Sequence, residues 1–416
     1  MSPNELATSR VLPNETAATK PRTLTRAQVL LLAFCVSLST TIALGFGRFG
    51  YSLVLPAMRE DLGWSYSQAG GLNTGNALGY LLGAVCAASI LKRTSLRFGV
   101  LGGLALSCFA LWLTGMTHQF AALVFCRALV GFSGALTFIS VASLGLRLGR
   151  DAEENALVSG IIIAGPGVGV IAGGLLLPLI VGEHSELWPH AWRLTGFIGV
   201  LVLAIVAFAT HDLKSKETVP EEDRPESSTQ SASLRPMLPI LVAYFLFGVG
   251  YIAYMTFLIA YVRALSGGAG AIAPVWATLG ACMLASSFVW KNALSTDRGG
   301  RVLTMMGLGG AISAAIPLFN DSFAALLFSA GGFGLCSMPI FAAVSISIRH
   351  HLPRFAWNRA VALATIIFAV GQSLGPIGSG ALSDHFGLSA SLVWTAVIML
   401  LAALVALLQK KAVQVI

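Results

Sequence analysis

Residues 40–58 read TTIALGFGRFGYSLVLPAM, an apolar run interrupted by a single cation, Arg48. About 20 consecutive apolar residues span a bilayer as a helix, and a cation near the centre costs roughly 2.5–3.5 kcal/mol on insertion scales. A chain retains such a residue where a partner or a ligand offsets that cost. Whether the run is a membrane span at all is decided by what surrounds it. Of the 416 residues 56% are hydrophobic and 11% charged, and the mean hydropathy is +0.80. Soluble domains carry about 25% charge, so this balance belongs to a polytopic membrane protein.

Twelve apolar segments separated by polar breaks lie at approximately 29–57, 67–90, 98–117, 119–146, 156–182, 191–210, 237–262, 271–290, 302–319, 322–348, 359–383 and 388–409. With the amino terminus inside, 21 of the 26 Lys and Arg fall in cytoplasmic tails and loops. Only Arg59, Arg193 and Arg263 lie outside, and Arg48 and Arg127 lie within the membrane. So lopsided a partition predicts both termini in the cytoplasm and a place in the bacterial inner membrane. It also accounts for the net charge of +8 without nucleic acid as a partner.

Residues 1–28 have no apolar core and read as a polar cytoplasmic tail rather than a cleaved signal. Residues 211–236, HDLKSKETVPEEDRPESSTQSASLRP, are rich in charge, Ser and Pro and read as a flexible cytoplasmic linker. The predicted organisation is therefore a six-helix bundle over 29–210, the linker, a second six-helix bundle over 237–409, and a tail over 410–416. The six cysteines all sit in apolar segments at spacings that fit no metal site. No nucleophile–base pair or phosphate-cradling loop is present, so no enzyme chemistry, cofactor or metal is expected. The loops are also too short to hold the output domain of a membrane sensor.

The two halves repeat. GFSGALTFIS (131–140) leads into GIIIAGPGVGVIAGG (160–174) just as GFGLCSMPIF (332–341) leads into FAVGQSLGPIGSG (368–380). GFGRFGY (45–51) aligns with GVGYIAY (248–254), which sets Tyr251 in register with Arg48 and Tyr254 with Tyr51. A 6+6 parallel repeat joined by a long loop is a transporter plan, with substrate held between the halves near the midplane.

Three further stretches carry a resemblance. STDRGGR (295–301) contains Asp297, Arg298, Gly299, Gly300 and Arg301, RALVGFSGA (127–135) contains Arg127 and Gly131, and GIIIAGPGVG (160–169) contains Gly165-Pro166. These are similar to loop, Arg-x-x-x-Gly and Gly-Pro motifs of the major facilitator superfamily (MFS) of secondary transporters. The opening GFGRFGYSLVLPAM resembles that superfamily's bacterial YbfB/YjiJ-type branch. The resemblance implies an all-α membrane protein with the MFS fold, 12 transmembrane helices in two pseudo-symmetric bundles, working by alternating access. Asp297, Arg298 and Arg301 would then form a gating latch. The matching loop LKRTSLR (91–97) keeps the basic residues but lacks the Asp and Gly.

Glycines give the other candidate moving parts. Gly71, Gly75, Gly79 and Gly83 recur every fourth residue and form one smooth stripe on a helix, along which a second helix can approach closely. Gly165-Pro166 and Gly375-Pro376 weaken their helices at matching depths and are read as hinge or cavity-closing features.

No Asp or Glu maps deep in the membrane, so Arg48 and Arg127 lack an evident counter-ion. At about 1.5 Å per residue both sit roughly 7–8 Å outward of their helix centres. Two cations at one depth in a wet cavity would trap an anion, and a guanidinium suits carboxylate or phosphate. Tyr51, Tyr251, Tyr254 and Gln372 are the candidate partners that would orient its polar end and pack its carbon body. The alternative reading of the arginines is structural, through helix carbonyls or the amides of Asn73 and Asn76. No membrane-embedded Asp, Glu or His offers itself as a proton carrier, so protons remain a candidate co-substrate only. The expected function is secondary active transport of a small organic anion by a monomer in the lipid bilayer. The alternative is a drug or sugar efflux antiporter for neutral or cationic compounds, suggested by the Gly-Pro motif.

Overall fold

A computed structural model of the chain describes residues 25–149, 151–213, 233–266, 269–297 and 299–411. Arg298, most of the 1–28 tail, most of the 211–236 linker and the end of the 410–416 tail lie outside the described residues. Among the described residues twelve helices are long and apolar enough to cross a membrane: α1 Arg26–Asp61, α2 Tyr66–Arg93, α3 Leu96–Thr114, α4 Phe120–Gly145, α5 Glu153–Val181, α6 Ser185–Ala209, α7 Arg235–Leu265, α8 Ile272–Val289, α9 Arg301–Phe319, α10 Phe323–His351, α11 Arg354–Phe386 and α12 Ser389–Leu407. They match the twelve predicted segments, with the largest differences at the starts of α6 and α11, Ser185 against 191 and Arg354 against 359. Large apolar side chains such as Phe288 and Phe319 lie exposed, as contact with lipid tails requires.

Local sequence explains the helix ends. Thr25 and Gln28 form a reciprocal capping box at the start of α1, and Ser65 and Gln68 form another at α2. Prolines within helices leave carbonyls without their N–H partner, and at Pro339 and Pro317 side chains from neighbouring segments take them up. Pro339 breaks α10 between Ser337 and Ile340, and the indole of Trp290 donates to the freed Leu335 carbonyl at 2.9 Å. Pro317 frees the Ser313 carbonyl, which accepts from the Ser329 hydroxyl at 2.6 Å.

Glycine permits the closest helix approaches. A Cβ on Gly79 would lie 1.9 Å from the Ala128 carbonyl oxygen, and one on Gly83 2.3 Å from that of Phe132. The Gly71, Gly75, Gly79 and Gly83 stripe therefore faces α4, within the first six helices. The face of α2 turned to the second six helices carries Gly70, Asn73 and Thr74 instead. Gly165 packs on Ser37 and Thr40 of α1, and Gly375 on the Val249 carbonyl of α7, so each Gly-Pro pair leans on the first helix of its own half.

Besides the α1–α7 contact, the halves meet at two crossings of different character. At α2–α11 backbone meets backbone: a Cβ on Gly70 would lie 2.2 Å from the Pro376 carbonyl oxygen, and one on Gly380 2.5 Å from that of Tyr66. At α5–α8 the fit is to side chains, Gly167 against Leu284, Gly174 against Trp276 and Gly280 against Ile171.

Candidate functional site

Arg48 lies near the end of a π-helical stretch, Thr41–Phe49, inside α1. Such wide turns are rare and concentrate at functional sites. Here Gly45 and Gly47 let the widened helix sit against its neighbours. A Cβ on Gly45 would stand 2.4 Å from the Gly169 Cα of α5, so this contact admits no side chain. The winding delivers Arg48 to the junction of the halves, where it is 7% exposed.

The Arg48 guanidinium has one cross-half bond. Its Nη2 donates to Gln372 Oε1 of α11 at 2.7 Å. The Tyr80 ring of α2 covers it at 5.0 Å from the ring centroid, and buried Nε has no hydrogen-bond partner. The acceptor is thus a neutral amide. Among the described residues the one buried carboxylate is Glu154, at the start of α5, and neither Arg48 nor Arg127 makes an ion pair.

Arg127 of α4 stands behind this point rather than beside it. It is fully buried, and Nη1 donates to the carbonyl of Gly47, the residue before Arg48, at 2.7 Å. Tyr51 and Trp192 cover its guanidinium at 4.8 and 5.3 Å, while Nε and Nη2 have no partner. A charge-assisted hydrogen bond is worth about 1.5–3 kcal/mol and a desolvated cation–π contact about 2. Together these roughly offset the cost of about 2.5–3.5 kcal/mol for a cation at that depth. Arg127 therefore braces α1 from within the first half, and Arg48 faces the second. Neither amide proposed as a partner reaches a guanidinium: Asn73 donates to Thr256 Oγ1 at 2.6 Å and Asn76 to the Arg127 carbonyl at 3.1 Å.

The tyrosines divide similarly. Tyr51 is fully buried and donates its hydroxyl to the Ala69 carbonyl at 2.7 Å. Tyr254 shares a 2.7 Å hydrogen bond with Ser329 and stacks on Phe333 at 3.8 Å between ring centroids. Tyr251, in register with Arg48, stacks between Phe247 and Phe333 with its ring tilted to Phe368. Of the six residues singled out from sequence as binding candidates, Arg48 and Gln372 are bonded directly to each other, and Tyr51 and Arg127 form a separate pair behind them. Tyr80 was not foreseen, since an isolated tyrosine in an apolar helix gives no periodic signal.

From Arg48 toward the α1–α2 turn the halves are fastened by polar bonds. Ser52 donates to the Met255 carbonyl, Asn73 to Thr256, and Thr74 to the Ser373 carbonyl at 2.6 Å. At the end bearing the α1–α2 turn, Asp384 of α11 accepts the backbone N–H groups of Tyr66 and Ser67, and Arg263 meets Glu60 at 3.3 Å. Among the described residues no cross-half hydrogen bond lies on the other side of Arg48–Gln372, toward the terminal end where α1 begins and α12 finishes. The structure is thus closed at the α1–α2 end.

The candidate latch lies at the terminal end. Asp297 accepts the N–H groups of Gly299 and Val302, each at 3.0 Å, and so caps the start of α9, while the Arg301 side chain is exposed. In the matching loop Ser95 caps α3, accepting from Phe98 N–H, and Arg97 ties to Thr210 and the Ala207 carbonyl of α6.

Comparison with known proteins gives a consistent answer. The family model described as "Uncharacterised MFS-type transporter YbfB" matches residues 40–407. The uncharacterized MFS-type transporter YceJ of Bacillus subtilis (strain 168) is 25% identical over 371 residues, 84% of this chain and 89% of that protein. A chloramphenicol resistance protein of Streptomyces lividans is 26% identical over 152 residues, 36% of this chain and 38% of its own. Among solved structures, a bacterial homolog of the human lysosomal transporter Spinster, inward-facing and occupied, has a TM-score of 0.72 at 19% identity, covering 93% of this chain and 97% of that one. A mutant of the nucleoside transporter NupG has a TM-score of 0.69 at 11% identity, covering 92% and 100%. At these identities the structural likeness is one of fold.

Proposed function

The chain belongs to the YbfB-type family of MFS transporters, and we propose that within it this protein carries a small organic anion, with Arg48 as the anion's anchor. It is a multi-pass membrane transporter of the MFS fold and not an enzyme. One observation supports an anion above all. A guanidinium at the meeting plane of the halves is held by a neutral amide and, among the described residues, pairs with no acid. A carboxylate arriving from the terminal end would displace Gln372 Oε1 from Arg48 and exchange a neutral acceptor for a charged one. Charge-assisted bidentate pairing is the stronger interaction, so binding would release the innermost bond between the halves. Substrate occupancy and rocking are coupled in this reading because one guanidinium serves both.

In the same reading the termini are cytoplasmic, so the closed end faces outward and the site loads from the cytoplasm or empties into it. The protein works as a monomer in the bacterial cytoplasmic membrane. The partial likeness to a chloramphenicol resistance protein favours a second reading, efflux of neutral or cationic compounds. Transport of radiolabelled organic acids in proteoliposomes separates the two. Saturable carboxylate transport, lost in a folded Arg48→Gln protein, is expected. Transport of neutral or cationic drugs with an affinity indifferent to Arg48→Gln would overturn the anion assignment.

A further inference from the structure

Resting on that anion reading, we infer that the preferred cargo is an aromatic carboxylate, its charge on Arg48 and its ring among aromatic side chains of the second half. The argument begins with direction. Beyond Arg48 toward the α1–α2 end, the Ser52, Asn73 and Thr74 bonds seal the junction, so the body of a ligand held by Arg48 extends toward the terminal end. What it meets there is fixed by helix geometry. Phe368 precedes Gln372 by four residues on α11 and shares its face. Its ring stacks on Tyr244 of α7 at 4.5 Å between centroids, with an interplanar angle of 16°.

The rings continue in both directions. Tyr251 lies 6.3 Å from Phe368, and Phe341 of α10 meets Phe368 edge-on at 5.2 Å. Phe341 is 45% exposed although its neighbours Tyr244 and Phe368 are buried, so the series runs from an accessible ring inward to the guanidinium. On the first half Tyr80 already offers its face to Arg48. Aromatic pairs prefer offset or edge-to-face contact at these centroid separations, and a ring inserted among them gains such contacts where an alkyl chain gains only burial. Arg48 itself has a buried, unpartnered Nε available to a second carboxylate oxygen.

The test compares benzoate, acetate and benzamide on the purified full-length protein, by calorimetric binding and by transport in proteoliposomes. Benzoate is expected to bind about ten-fold or more tightly than acetate, and benzamide to bind no more tightly than acetate. Phe368→Leu is expected to weaken benzoate about ten-fold while changing acetate less than about three-fold, and Phe368→Tyr to restore it. Phe341→Leu, at an exposed position away from Arg48, carries the same test if Phe368→Leu does not fold. Equal binding of acetate and benzoate, both lost in Arg48→Gln, would overturn the aromatic inference and leave the anion reading standing. Benzamide binding as tightly as benzoate would remove the anion reading itself, and binding of none of the three removes both.

Discussion

Asp384 accepts the backbone N–H of Tyr66 at 2.6 Å, so a carboxylate from the second half caps the first turn of a helix in the first. The Ser67 N–H reaches the same carboxylate at 3.0 Å. A negative charge at a helix N-terminus satisfies orphan donors and meets the positive end of the macrodipole. Ser65 already caps α2 in the ordinary way, so α2 does not need Asp384 in order to form. The contact instead fastens the halves. Asp384→Ala is expected to leave the fold intact and raise the population open at the α1–α2 end roughly five-fold, about 1 kcal/mol for an exposed contact. Spin-label distances across that end check it; an unchanged distribution would show that Asp384 fastens nothing.

Gln372→Glu supplies the counter-ion that Arg48 lacks. The new carboxylate competes with an anionic substrate for the same guanidinium, and the apparent affinity is expected to fall by roughly ten-fold or more. The closed state should gain thermal stability at the same time. Gln372→Ala removes the competitor and should bind the anion at least as tightly as the unaltered protein. Binding isotherms with matched melting curves distinguish the two directions.

Arg127→Ala tests the division of labour between the two arginines. It empties the space beneath Tyr51 and Trp192 and deletes a bond to the α1 backbone. A loss of roughly 2–4 kcal/mol of stability is expected, as for other large-to-small core changes. The folded fraction should keep its ligand affinity within about three-fold, because Arg127 does not face the second half. A drop in affinity as large as that of Arg48→Gln would place Arg127 in the site.

The glycine stripe of α2 should tolerate change unevenly. Gly71 has no neighbour closer than the Phe120 ring, 3.8 Å from a built Cβ, so Gly71→Ala is expected to be neutral within about 0.5 kcal/mol. Gly79→Ala drives a methyl to 1.9 Å from backbone that cannot yield, and should cost about 1–3 kcal/mol or more. Melting temperatures of the two variants decide it. Gly70→Ala meets Pro376 across the halves and is expected to perturb closure of the α1–α2 end more than melting.

The twelve spans, with limits within about six residues, and the repeat were legible because lipid imposes length, polarity and loop charge on the chain directly. The two buried arginines stood out for the same reason, as violations of that rule. Their division was not legible. Arg48 and Arg127 look alike by depth, but the π-wound turn of α1 sends one to the junction and leaves the other behind Gly47. No periodicity in the sequence announces a change of helical pitch. The stripe of four glycines was visible but not its direction: whether α2 turns it to α4 or α11 depends on tertiary rotation of the helix. Gly70 and Gly380, which make the cross-half approach, sit beside the more conspicuous Gly71 and Gly375-Pro376, and nothing in the sequence says which neighbour each glycine faces. Asp384 looked like an ordinary loop acid because its partners are backbone N–H groups, which every sequence possesses.

The unlike crossings have a mechanical consequence. α2 and α11 are riveted by backbone fit and hydrogen bonds, whereas α5 and α8 touch through glycine and greasy side chains with no hydrogen bond between them among the described residues. A rivet fails all at once; a lubricated joint turns under load. Opening of the α1–α2 end is therefore expected to swing on the α5–α8 side as on a door hinge, with the gap appearing first along α2 and α11. The axis of motion would then lie off-centre, and the first opening at that end would be a slot at one flank rather than a widening round pore.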